Sequence, residues 1–184
     1  TYTDLGATAT DNYDNSITVT TSGDVDTNVV GTYTITYTAT DSNDNSSTKT
    51  RTVKVVDTTA PTITLNGESY IEIEVFSTYT DLGATATDNY DNSITVTTSG
   101  DVNTNVLGTY TITYTATDSN NNTSTAERTV KVVDTTAPTI TLNGESYIEI
   151  EASSTYTDLG ATATDNYDNN ITVTTSGSVI PNIV

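Results

Sequence analysis

The chain has 184 residues, with 24 acidic against 5 basic side chains, no cysteine, histidine or tryptophan, and a formal net charge of −19. Such a charge repels nucleic acid and anionic lipid, and no apolar run approaches membrane-spanning length, so nucleic acid and direct membrane insertion are set aside. Without cysteine there is neither a disulfide framework nor a thiolate metal site, and without histidine no Ser-His-Asp or Cys-His arrangement, so an enzyme is not expected.

Thr-Tyr-Thr-Asp-Leu-Gly begins at Thr1, Thr78 and Thr155, and Asp-Thr-Thr-Ala-Pro stands at Asp57–Pro61 and again at Asp134–Pro138, a step of 77 residues each time. Residues 1–56 and 78–133 agree at 50 of 56 positions. A fixed step of this kind marks a tandem array. The repeat divides the chain into 1–56, which lacks the opening strands, 57–133, which is complete, and 134–184, which lacks the closing strands. A sequence that starts and ends inside its own repeat reads as a window on a longer array. Each Asp-Thr-Thr-Ala-Pro is a joint.

In the complete repeat, Pro61–Leu65 alternates apolar and polar residues, the pattern of a half-buried strand. Asn66-Gly67 is a turn pair, and Tyr70–Val75 is a second alternating run. Tyr79–Thr87 carries Leu82, Ala84 and Ala86 and leads into the turn-rich Asp88–Ser93. Ile94–Thr98 is a short strand closed by Ser99-Gly100, and Asp101–Gly108 is a polar connection. Thr109–Thr117 places Tyr110, Ile112, Tyr114 and Ala116 on one face and threonines on the other. Thr125–Val133 closes the repeat, with Arg128 and Lys131 read as outward. Six or seven short strands, turn signals between them and no helical period predict an all-β fold of tandem immunoglobulin-like β-sandwiches, beads on a string. Tyr114 is read either as a tyrosine corner or as plain core packing. Lys54 and Lys131 alternate with inward valines and point to solvent, which argues against an internal Lys–Asn isopeptide bond.

The segments Asp-Thr-Thr-Ala-Pro-Thr-Ile-Thr-Leu-Asn-Gly, Tyr-Thr-Asp-Leu-Gly-Ala-Thr-Ala-Thr-Asp-Asn-Tyr-Asp and Gly-Thr-Tyr-Thr-Ile-Thr-Tyr-Thr-Ala-Thr-Asp resemble the bacterial surface immunoglobulin-like repeats, a group related to hyalin repeats and named also for an insecticidal crystal protein. The resemblance covers the whole chain. It implies sandwiches in tandem, as in giant tandem-repeat adhesins, and an extracellular place on the bacterial cell surface. Where that family often has Asp-Gly-Asp after the loop tyrosine, this chain has Asp14-Asn-Ser, Asp91-Asn-Ser and Asp168-Asn-Asn, which weakens a charge-based reading of the loop.

Calcium is the cofactor the acidic loops call to mind. In an immunoglobulin topology the first strand's entry, the loop after the second strand and the loop before the last share one pole. For the complete repeat these are Asp57, then Asp88 and Asp91, then Asp118 with Asn120 and Asn122. Ca²⁺ takes six to eight such hard oxygens. Asp57 lies on the joint, so an ion there would fix the angle between repeats. The third repeat offers Asp134, Asp165 and Asp168; the first offers Asp11, Asp14, Asp41 and Asn43 without a joint aspartate. The rival reading is that Asp and Asn simply build Asx-turns.

Ice binding by the threonine ranks is disfavoured because sandwich strands twist out of plane. Thr58 and Thr135 sit in an Asp-Thr-Thr context that resembles an O-glycosylation signal, and Asn45, Asn121, Asn122 and Asn170 fit Asn-x-Ser/Thr. The sequence thus reads as a stalk or fibre segment of a cell-surface adhesin, its partners the neighbouring repeats of the same long protein. Two rivals stay open: a multivalent module whose loop tyrosines Tyr13, Tyr90 and Tyr167 hold surface glycans, and a filament subunit assembling by strand complementation.

Overall fold

The computed structural model describes residues Thr1–Val179, and the closing residues of the 134–184 segment, 180–184, lie outside the described residues. All regular structure among the described residues is strand: β1 (Val19–Ser22), β2 (Gly31–Thr40), β3 (Ser46–Val55), β4 (Thr62–Leu65), β5 (Tyr70–Glu74), β6 (Ala84–Thr87), β7 (Val96–Ser99), β8 (Gly108–Thr117), β9 (Thr123–Val133), β10 (Thr139–Leu142) and β11 (Ala161–Thr164). The fold is all-β among the described residues, as the alternation requires. Two compact units divide the described chain. One holds residues 1–62, 86–95 and 116–124, and the other holds 63–85, 96–115 and 125 onward.

In the first unit, β1, β2 and β3 form an antiparallel sheet in that order. Thr20 pairs with Thr38, and Thr38 with Thr48, so threonines share the outer face, while Ile35 and Tyr37 on the other face are buried. A strand face that alternates Thr with Ile and Tyr has one way to lie, and a slip of one residue would bury the hydroxyls.

Most of the four-stranded sheet β5-β9-β8-β7 and of the pair β4-β6 lies in the second unit. Its core gathers Ile112, Tyr114 and Val130 with Ile63, Leu65, Ile73, Tyr79, Ala84, Val96 and Val102. β4 and β5 are in different sheets, so Asn66-Gly67 is a turn that hands the chain from one sheet to the other. Asn66 secures it by donating from its backbone to Gly83 O at 3.0 Å and from its side chain to Leu82 O at 3.0 Å. Gly100 closes β7 at φ 97°, where a Cβ would collide with the Thr111 carbonyl. Leu82 is not a core residue; it is 60% exposed, and Leu5 and Leu159 at the matching positions are exposed as well.

Arg128 corrects the sequence reading. It is fully buried, not outward. A strand has a period of two, so residue 128 shares a face with Val130 and Val132, while Lys131 takes the other. The burial is sustained by a full set of acceptors. Arg128 pairs with the Asp81 carboxylate, donates to Tyr114 Oη at 2.7 Å, and donates to the carbonyls of Asn66 at 2.7 Å and Glu68 at 3.0 Å. Tyr114 donates in turn to Asp81 at 2.5 Å. Its hydroxyl therefore ties β8 to the Asp-Leu-Gly segment, the job of a tyrosine corner done through a carboxylate. The equivalent Arg51 meets Asp4 and the Gly6 carbonyl, but residues 1–56 hold no counterpart of Asn66 or Glu68 to cover it, and its side chain stays 37% exposed.

β5 pairs with β9 in parallel, from Tyr70↔Thr129 to Glu74↔Val133. The ends of both strands consequently lie side by side, immediately before the joint that starts at Asp134. In the third repeat β10 pairs with β11, and Tyr147–Glu151 forms no strand, since the partner that β9 supplies in the middle repeat has no counterpart in the sequence.

Candidate functional site

The loop Asp-Asn-Tyr-Asp is an Asx-turn in all three repeats. Asp88 Oδ1 accepts the backbone N–H groups of Tyr90 at 2.9 Å and Asp91 at 3.1 Å. Asp165 does the same for Tyr167 and Asp168 at 2.9 and 3.1 Å, and Asp11 for Tyr13 and Asp14 at 2.8 and 3.0 Å. One oxygen of each aspartate thus builds the turn, as the plain reading requires. The other oxygen of Asp88 and of Asp165, Oδ2, is buried with no hydrogen-bond partner. A buried acceptor without a donor is costly, and a cation is what satisfies an anionic one.

Asp88 and Asp165 each belong to an acidic triad. Asp57, Asp88 and Asp118 present carboxylate oxygens within 4.8 Å of one another, and so do Asp134, Asp165 and Asp168. Each triad contains the aspartate of a joint and two loop aspartates of the repeat that follows it. Asp118 is itself a turn-builder, accepting the N–H of Asn120 at 2.9 Å, the N–H of Asn122 at 2.7 Å and the Asn122 side-chain amide at 2.6 Å. Burial works to raise Asp118, but the Asn122 amide and the Asn122 and Asn120 N–H groups outweigh it and hold the carboxyl below its ordinary value. Asn120 reaches Asp57 Oδ2 at 3.5 Å, and Asn122 donates to the Asp57 carbonyl at 3.3 Å, so the loop before β9 is fastened to the joint.

The remaining sequence-derived candidates fall elsewhere. Asp91 accepts the backbone and hydroxyl of Ser119 at 2.7 and 3.0 Å, a brace between two loops beside the triad. Asp14 braces Ser42 in the same way, at 2.8 and 3.0 Å. Asp41 accepts from Asn43 N at 2.9 Å and from both the backbone and side chain of Asn45 at 2.7 Å. Thr58 is exposed; Thr135 is also on the surface, but its hydroxyl donates to Glu74 at 2.7 Å.

Glu74 escaped the sequence reading. Its carboxylate accepts the Thr135 N–H at 3.0 Å, the Thr135 hydroxyl and the Thr136 hydroxyl at 2.8 Å. The Thr135 and Thr136 hydroxyls hold it down at about 2. Asp134 goes the other way: burial raises it, helped by the carboxylates of Asp165 and Glu74. Carboxylates crowded this closely repel one another until something positive sits between them.

The loop tyrosines of the second and third repeats face the repeat before them. Tyr90 Oη accepts the N–H of Val30 at 3.3 Å. The Tyr167 ring lies 6.1 Å from the Phe76 ring at 42°. Tyr13 is 78% exposed. An Asx-turn at the start of each loop aims these rings along the chain, a direction that residue spacing does not disclose.

The bacterial surface protein, Ig-like domain family matches this sequence over residues 1–55, 63–132 and 140–183. The chain belongs to that family. Among curated proteins it is similar to a serine-rich adhesin for platelets from Staphylococcus aureus, 36% identical over 135 residues in strains MRSA252 and USA300. Those matches cover 66% of this chain and 10% and 6% of the adhesins, so the chain spans a small fraction of the relatives it matches. A solved lipoprotein from Bacteroides thetaiotaomicron is 29% identical over 42% of this chain and 39% of its own, with a TM-score of 0.36, which bears on neither fold nor function.

Proposed function

We propose that the chain is a stalk segment of a bacterial cell-surface adhesin, in which immunoglobulin-like repeats carry a binding region away from the cell and Ca²⁺ at the joints stiffens them. The observation that carries the calcium reading is the orphaned Oδ2 of Asp88 and of Asp165, each on a residue of a triad that includes a joint aspartate. Asp57, Asp88 and Asp118 would hold one ion, and Asp134, Asp165 and Asp168 another, through the hard oxygen donors that Ca²⁺ prefers. The ion would supply the positive charge the triads lack. It would also bridge a joint to the loops of the next repeat, which favours a single angle. The role is structural and not catalytic, and its place is extracellular.

Surface glycans are the weaker partner reading. Tyr90 and Tyr167 are engaged by the preceding repeats, and although Tyr90 stays 36% exposed, Tyr13 at 78% is the loop ring most open to a ligand among the described residues. Assembly by strand complementation has one observation in its favour, an open groove of about 530 Å³ in the third repeat lined by Leu142, Ile148, Ile150, Tyr156 and Leu159. The matching positions of the middle repeat include Leu65, Ile73 and Tyr79, which pack on Tyr114 and Val130, so closing strands are the shape that fits the groove.

Thermal melting and small-angle scattering, in millimolar Ca²⁺ and then in EDTA, test the stalk. A higher melting point and a longer, narrower particle population in Ca²⁺ support it. Identical curves in both buffers remove the ion. Growth of polymers with protein concentration would favour strand complementation instead.

A further inference from the structure

Glu74 at the end of β5 and Phe76 just after it reach forward to the next joint and the next repeat, while Val75 between them is held to the end of β9. Glu74 accepts from Thr135 and Thr136, the Val75 N–H donates to the Val133 carbonyl at 2.7 Å, and Phe76 meets Tyr167. Parallel pairing with β9 is what brings them there, because it sets the end of β5 beside the residue that precedes Asp134. The bend that follows is made by backbone and serine. Ser77 donates from its N–H and hydroxyl to Glu74 O at 3.1 and 2.5 Å, and Ser154 repeats this with Glu151 O at 3.1 and 2.6 Å. Phe76 and Ser153 occupy the same place in the bend, at φ 62° and 67°. The bend is therefore common to both repeats and does not depend on the aromatic ring. Only the side chains differ: Glu74-Val75-Phe76 in one, Glu151-Ala152-Ser153 in the other.

We propose that this tripeptide is a metal-independent clamp whose partner is the following repeat, and that the residue at the bend grades the stiffness of the joint after it. The partner chemistry is specific: a Thr-Thr pair for the glutamate and the tyrosine of an Asp-Asn-Tyr-Asp loop for the ring. A repeat ending β5 in Glu-Val-Phe grips with both. One with Glu-Ala-Ser keeps the carboxylate grip and loses the ring, since a serine is too short to span the distance to the tyrosine. Tilted aromatic pairs at such separations are attractive beyond the area they cover. The purpose assigned to the clamp rests on the stalk reading, but the contact itself is testable apart from it.

The chain has no cysteine, so Thr111→Cys and Thr162→Cys, both exposed positions, give a unique pair of nitroxide labels on the full chain. Double electron–electron resonance in EDTA reads the spread of distances between the middle and third repeats. Phe76→Ser should broaden that spread roughly twofold, Phe76→Tyr should leave it narrow, and Glu74→Gln should broaden it to an intermediate degree. Ala152→Val with Ser153→Phe should change nothing at this joint. Equal spreads for wild type, Phe76→Ser and Glu74→Gln, with melting points unchanged, would overturn the clamp. A wild-type spread that is the same in Ca²⁺ and EDTA would count against the calcium-stiffened stalk and not against the clamp.

Discussion

Tyr114 donates its hydroxyl proton to Asp81 at 2.5 Å while accepting one from Arg128 at 2.7 Å. A guanidinium with no exposed surface is thereby neutralised and fully bonded. Removing one partner of a buried pair strands the other. Arg128→Ala should therefore cost about 3–5 kcal/mol in urea denaturation followed by circular dichroism. Arg51→Ala should cost clearly less, because that side chain already meets solvent.

The same cluster sets a pH dependence. Burial pushes Tyr114 up to about 12, and the Asp81 carboxylate adds to the rise. A group with a raised folded value contributes stability that is complete below its ordinary value of 10.0 and is lost as pH climbs towards about 12. Burial also raises Asp81, but the Tyr114 hydroxyl, the Gly83 N–H and the Arg128 charge bring it below 3.8 on balance. Its contribution is present above that value and fades as pH falls beneath it. In Tyr114→Phe the alkaline loss of stability between pH 10 and 12 should shrink, as measured by melting point against pH. A profile identical to wild type would remove Tyr114 from the linkage.

At the first joint, Tyr90→Phe keeps the ring and deletes the acceptor for the Val30 N–H. The expected loss is small, about 0.5–1.5 kcal/mol. Faster hydrogen exchange at the Val30 amide is the sensitive readout, and Tyr13→Phe should leave exchange unchanged. If Tyr90→Phe also leaves it unchanged, Tyr90 is not a joint residue.

Asp88→Asn and Asp91→Asn separate the triad from its brace. Asp88 faces the triad with an unpartnered oxygen, whereas Asp91 holds Ser119. Asp88→Asn should abolish most of the rise in melting point that Ca²⁺ produces. Asp91→Asn should lower the melting point in EDTA and retain much of the rise. Equal effects of the two substitutions would mean that the loop as a whole, and not its buried oxygen, governs the response.

Strand positions were readable from the sequence wherever alternation was strict, as in Thr109–Thr117, since a one-residue slip there would bury threonine. The gathering of Asp57, Asp88 and Asp118 was readable too, once an immunoglobulin topology placed three loops at one pole. Arg128 was misread because its charge was weighed above its parity, although residues 128, 130 and 132 must share a face. Glu74 was invisible for another reason. Its partners Thr135 and Thr136 lie about 60 residues away, brought close by a parallel pairing that no local pattern announces. Tyr90 and Tyr167 were recognised as loop residues, but the direction a loop ring takes depends on the turn beneath it.

Parallel pairing of β5 with β9 has a consequence for tension. The chain enters the middle repeat ahead of β5 and leaves it directly from the end of β9. A pull along the array therefore draws β5 and β9 past each other in opposite directions. The rungs from Tyr70↔Thr129 to Glu74↔Val133 are loaded together in shear, instead of parting one by one as an antiparallel hairpin does when its two ends are peeled apart. The middle repeat is thus fastened across its second and last strands, along the line in which a pull on the array is transmitted.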